Sequence, residues 1–187
     1  MVSKSLKQVL LLPAIAFAAL TFAVDAGVAQ TTQQNAQPQS DGVKRTTTTA
    51  TYGGWVVSCV TNESTKDKNC SARLQMVNKE RKPILAWFIG FNRNRVLMSE
   101  LVTPTDVFIA PGVQVTLDDD KDNPIKLLYS ACSVRGCQSS IPMTKQLRDR
   151  LVKAKKVNVA VAAINGKTFN FPVQFAGFDK ALADLLQ

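Results

Sequence analysis

Residues 157–175 read VNVAVAAINGKTFNFPVQF, and their alternation restricts the backbone more than any other feature of the chain. Val157, Val159 and Val161 alternate with Asn158 and Ala160, while Phe169, Phe171, Val173 and Phe175 alternate with Asn170, Pro172 and Gln174. In an extended chain every second side chain points to the same face, so each run gathers its apolar residues on one side. Asn165-Gly166 between the runs is turn chemistry, and the whole predicts a β-hairpin. Pro172 cannot donate to a ladder, which places the second strand at a sheet edge or a bulge. Such an edge could accept a client strand, although the proline blunts it.

The same reading predicts strands at 55–60, 70–78, 84–92, 95–102, 113–117 and 125–132, each bounded by Gly, Pro, Asn or charged residues. So many short strands at this spacing predict an all-β, β-sandwich-like single domain. Trp55, Trp87, Phe88 and Phe91 are its expected aromatic core. Two short helices complete it. One is expected over 144–154, with Thr144 as N-cap and Leu147, Leu151 and Val152 as its apolar stripe. The other runs from about Phe178 to the C-terminus, with Phe178, Leu182 and Leu185 at helical spacing, and is expected to close the sheet.

The chain begins with Lys4 and Lys7, an apolar stretch from Val9 to Val24, and then small residues. That order predicts a secretory signal peptide over 1–29, cut after Ala29, with Ala26 as the alternative. No other stretch is apolar enough for a membrane span, so none is expected in the mature chain. Residues 30–51 are polar, rich in Gln and Thr, and are expected to form a disordered tether. The folded domain is then 52–187.

Export places Cys59, Cys70, Cys132 and Cys137 where disulfides persist. Closeness along the chain favours Cys59 with Cys70 and Cys132 with Cys137, while all three pairings stay open on sequence alone. A four-cysteine zinc site would want tight C-x₂-C spacing, and a redox pair would want C-x-x-C at a helix start; neither is present. The cysteines therefore read as staples.

Removing Lys4, Lys7 and Asp25 from the chain's 23 basic and 14 acidic residues leaves 21 and 13, a net charge of +8. This favours anionic partners such as lipid or acidic glycan, and export argues against nucleic acid. The sequence contains no histidine, which removes every mechanism built on an imidazole base or ligand. Glu63, Glu80 and Glu100 are scattered, no glycine-rich phosphate loop is present, and no enzyme activity or cofactor is expected. Asp118, Asp120 and Asp122 begin like a calcium loop, but Asn123 stands where glycine is needed and Tyr129 where glutamate is needed. A solvated turn is the better reading. Asn62-Glu63-Ser64 fits a glycosylation sequon, a weak pattern. The best local candidate for binding is the basic run around the first helix, Lys145, Arg148, Arg150, Lys153, Lys155 and Lys156, as an anionic-surface site.

Five segments, in this order, carry a family resemblance: YGGWVVSC (52–59), CSARLQ (70–75), APGV (110–113), CSVRGC (132–137) and FAGFDKAL (175–182). Together they resemble the invasion-associated locus B family over residues 52–187. The resemblance implies a β-rich fold, the two local cystine pairs, and a bacterial envelope protein of the periplasm, outer membrane or cell surface of a Gram-negative organism. It also implies a link to host-cell invasion, of erythrocytes in the branch that named the family, and carries no catalytic residues. Gly54 departs from the acidic residue that many members place before the tryptophan. The expected function is a non-enzymatic exported protein that promotes invasion. The alternative is a periplasmic binding or assembly module for outer-membrane clients or envelope polymers.

Overall fold

The computed structural model describes residues 43–187. The expected signal peptide and the first part of the expected tether lie outside the described residues. The described chain forms eleven strands and two helices. In order they are β1 (Arg45–Tyr52), β2 (Trp55–Asn62), β3 (Lys68–Val77), β4 (Pro83–Phe91), β5 (Leu97–Thr103), β6 (Val113–Leu117), β7 (Ile125–Leu127), β8 (Tyr129–Ser133), β9 (Gly136–Pro142), α1 (Lys145–Lys153), β10 (Val157–Ala162), β11 (Thr168–Val173) and α2 (Phe178–Leu185).

Two antiparallel sheets result, one ordered β1-β2-β3-β4-β5-β9-β8 and the other β11-β10-β6-β7. The first is a meander from β1 to β5, so each strand meets its sequence neighbour across a short turn. In β2 and β4 the alternation is written in burial: Trp55, Val57 and Cys59, then Leu85, Trp87 and Ile89, all face inward. The small sheet supplies Val113, Val115, Leu117, Val157, Val159 and Val161 to the same core. Helix α2 adds Phe178, Ala181, Leu182 and Leu185. Trp55 is fully buried, with the rings of Trp87, Phe175 and Phe178 at centroid distances of 6.1, 5.5 and 5.1 Å. Trp87 donates its indole N–H to the buried Ser99 hydroxyl at 2.8 Å, satisfying both polar groups.

Two cystines staple cross-strand pairs. Cys59 bonds Cys70 between β2 and β3, buried, and Cys132 bonds Cys137 between β8 and β9, with Cys132 exposed. The pairing is the local one expected.

At the turn between β1 and β2 the backbone of the segment leading into α2 comes very close. A Cβ on Gly53 would lie 2.2 Å from the Ala176 carbonyl oxygen, and one on Gly177 would lie 2.5 Å from that of Tyr52. Both glycines also have positive φ, so the contact needs glycine at both positions. Tyr52 secures the same junction by donating its hydroxyl to Asp184 at 3.2 Å.

Several expectations are corrected. The tether was expected to reach residue 51, but Arg45–Tyr52 is a strand in unbroken register with β2. Polar threonines have high strand propensity, and pairing with a finished neighbour holds them without burial. The single strand expected over 125–132 divides at Leu128, with β7 in the small sheet and β8 in the large one. Strand β9 was not expected. Phe91 and Val152 are exposed rather than core, at 40% and 44%, because Phe91 ends its strand and Val152 lies on the outer side of α1. Phe88 is only half-buried, on the outer face of the large sheet.

Candidate functional site

Helix α1 forms where expected. Thr144 accepts a hydrogen bond from the Leu147 N–H at 3.2 Å, and Leu147 and Leu151 bury the inner side. Arg150 and Lys153 fall in its last turn, where the helix dipole favours cations. Against the exit of α1 lies the turn of Asp118 to Asn123 between β6 and β7, the segment with the calcium-like aspartates. Asp118 and Asp119 have φ of 51° and 64°, a left-handed pair that reverses the chain. Asp118 Oδ1 then accepts the backbone N–H of Lys155 at 2.8 Å and of Lys156 at 2.9 Å. The carboxylate thus ties the β6–β7 turn to the exit of α1.

Those two N–H donors, reinforced by the nearby lysine charges, hold the Asp118 carboxyl below the usual aspartate range. A depressed folded-state value contributes stability above the unfolded value, and that contribution is lost as pH falls through the folded value. Urea resistance is therefore expected to hold down to about pH 4 and to decline below it. Asp118→Asn keeps an acceptor oxygen and removes the titration, so its acid decline should be smaller than that of the parent. Equal declines in paired urea titrations would refute the assignment.

The six basic residues named from sequence share this region, but the structure gives them different tasks. Lys145 pairs with Asp149 at 2.7 Å, and Lys156 pairs with Asp119 at 3.0 Å, both in solvent. Exposed pairs of this kind contribute little to stability. Lys145, followed by neighbouring cations, also holds the Asp149 carboxyl low. Arg150 donates to the Asn123 carbonyl at 2.9 Å, clamping α1 to the turn. Arg148 is half-buried, and its Nε has no partner among the described residues. Lys153 and Lys155 are exposed and form no ion pair among the described residues. Lys145, Gln146, Asp149, Arg150 and Lys153 line a shallow hollow of about 480 Å³. Lys126, which sequence reasoning passed over, lines an adjoining hollow of about 310 Å³ with Arg150. It lies in β7, and the packing of α1 beside that strand brings it there, a juxtaposition that the local sequence does not reveal. The resulting surface is a basic face suited to several weak, salt-sensitive contacts with an extended anion.

The carboxylates singled out from sequence do not converge on it. Glu63 accepts from Thr46 and pairs with Lys66, while Glu100 accepts from Gln138 at 3.0 Å on the outer face of the large sheet. Among the described residues no group of three His, Cys, Asp or Glu side chains is arranged to hold a metal. No described helix is long and apolar enough to cross a membrane.

The sequence profile described as Invasion associated locus B (IalB) protein matches residues 55–186. The chain belongs to the invasion-associated locus B family. Its structure is similar to the crystal structure of invasion associated protein B from Bartonella henselae, at 26% identity and a TM-score of 0.64. The similarity covers 74% of this chain and 95% of that one. Comparison with curated proteins finds no match. Family membership and the two-sheet fold agree with the resemblance carried by the five sequence segments. The matched span begins at Trp55, so β1 lies outside it although it is part of this sheet.

Proposed function

We propose that this family member is an exported, non-enzymatic envelope protein that promotes host-cell invasion. Its basic face around α1 engages anionic lipid or glycan, on the bacterial envelope or on the host cell. The observation that carries the reading is that Lys153 and Lys155 stand exposed and outside any ion pair among the described residues, Lys153 lining the same hollow as Arg150, on a chain whose relative is described as invasion associated. The basic start and apolar stretch of residues 1–24 support export, and the resemblance to the founding branch supports erythrocytes as the target cell.

Each lysine near an anionic surface contributes about 1 kcal/mol, so Lys153→Gln with Lys155→Gln should weaken binding to anionic liposomes roughly thirtyfold. Zwitterionic liposomes should bind neither form, and raised salt should abolish the difference. Neither residue packs in the core, so the thermal midpoint should not move. Unchanged liposome binding by the double variant sinks the proposed contact, and an intact invasion phenotype after clean deletion of the gene sinks the proposed role.

The alternative, a periplasmic binding or assembly module, draws on the edge strand β11, which could accept a client strand although Pro172 blunts it. Protease shaving of intact bacteria separates the two. Loss of this protein with a periplasmic control preserved supports direct host contact, and full protection favours the module.

A further inference from the structure

The two sheets have four outer edges, and three are obstructed. At β11, Pro172 lies on the edge strand and offers no N–H. At β8 the register shifts between Tyr129 and Ala131, and Cys132 is tied back to Cys137. At β7 only three residues pair. Strand β1 is different: eight residues, register unbroken from Arg45 to Tyr52, no proline and no bulge. Among the described residues nothing pairs with its outer side.

The orientation of its backbone follows from two observations. Tyr52 and Trp55 flank a two-residue turn, and such flanking residues form a hydrogen-bonded pair, so Tyr52 directs its N–H and C=O toward β2. At the other end the Lys44 carbonyl accepts from the Glu63 N–H at 2.9 Å, again toward β2. Alternate residues therefore turn inward, and Thr47, Thr49 and Thr51 present their backbone donors and acceptors to the open side. Their side chains are exposed. An open edge of this length is a standing invitation to another strand, which natural proteins normally obstruct.

We propose that β1 pairs antiparallel with β1 of a second copy of this chain, with Thr49 on the two-fold axis. Three features favour a second copy over an unrelated strand. The pairing sets Thr47 against the partner's Thr51, and Thr–Thr pairs are favourable across strands. The strand's one charge, Arg45, falls opposite the partner's Gly53 turn and away from its own copy, so no like charges meet. The assembly also ends at two chains, because the edges then left on the joined sheet are both β8, bulged and stapled. An isologous two-fold contact is the commonest arrangement among soluble oligomers. This inference is independent of the role proposed for the basic face.

The test is the oligomeric state of the whole chain, expressed with its own leader and purified from the envelope fraction, by sedimentation from micromolar to near-millimolar concentration. A reversible two-chain species is expected. Thr49→Pro removes the central outward N–H without touching the bonds to β2, and should weaken association by about a hundredfold or more. If that variant fails to fold, Thr47→Lys with Thr51→Lys serves instead, because it sets like charges against each other in both cross pairs while altering only exposed side chains. It should dissociate the pair to a similar degree. Thr47→Lys with Thr51→Glu sets opposite charges in the same positions and should keep it. A one-chain mass throughout the titration overturns the proposal. So does a pair that survives the lysine double variant, or a single chain that instead captures an unrelated extended peptide along β1.

Discussion

Trp55→Ala should cost about 3–5 kcal/mol, a large share of the 5–15 kcal/mol that holds a typical domain together. The indole is the centre of the aromatic cluster, touched by Trp87 from β4 of the same sheet, by Phe175 from the chain leading into α2 and by Phe178 at the start of that helix. Its removal leaves a void bounded by three separate elements, none of which can move in without losing its own contacts. The urea midpoint by far-UV circular dichroism should fall steeply, and the variant should be largely unfolded near 37 °C. Trp55→Phe should cost far less, because the Trp55 indole N–H has no partner among the described residues and only area is lost. Trp87→Phe should cost more than its area, since it orphans the buried Ser99 hydroxyl. A Trp55→Ala midpoint within error of the parent would show that the cluster is not the keystone described.

The second large effect is expected from Cys59→Ala with Cys70→Ala. The sequence separation of 11 gives a loop-closure contribution of about 3 kcal/mol. Both sulfurs also pack within the core, so their removal adds a cavity. The pair Cys132 and Cys137 closes a separation of 5, and Cys132 is exposed. Removing that pair should cost about 2 kcal/mol through the unfolded state, with a smaller packing loss than at the first pair because only Cys137 of the two is buried. Denaturant titration of the two double variants should rank them in this order. A difference of only about 1 kcal/mol would mean that the fuller burial of the first cystine adds nothing to its entropic effect.

Period-two burial made most of the large sheet legible. Trp55, Val57 and Cys59 alternate with less buried residues, and so do Leu85, Trp87 and Ile89, so β2 and β4 could be read without coordinates. Strand β1 could not, because its threonines pair without burying anything, and a reading based on hydrophobic alternation sees only polarity. Strand β9 was hidden for a related reason: one of its inward residues is Ser139, which reaches the Leu101 carbonyl rather than apolar neighbours. The break at Leu128 lies within a run of strand-forming residues, and only the pairing partners reveal it. In the candidate site the cap and buried stripe of α1 were visible locally. The clamping of Arg150 and the pairing of Lys156 depended on Asn123 and Asp119, both more than twenty-five residues away, whereas Lys145 finds Asp149 one turn along the helix.

The passage from β7 to β8 bears on how such a molecule can meet anything at all. A single residue, Leu128, separates a strand of one layer from a strand of the other, so the layers are clasped along that margin. The Gly53 and Gly177 junction fastens a second place, where backbone meets backbone without room for a methyl group. Two such fastenings oppose a parting of the leaves, whereas the charged relief around α1 lies on the outside and can be reached with the leaves closed.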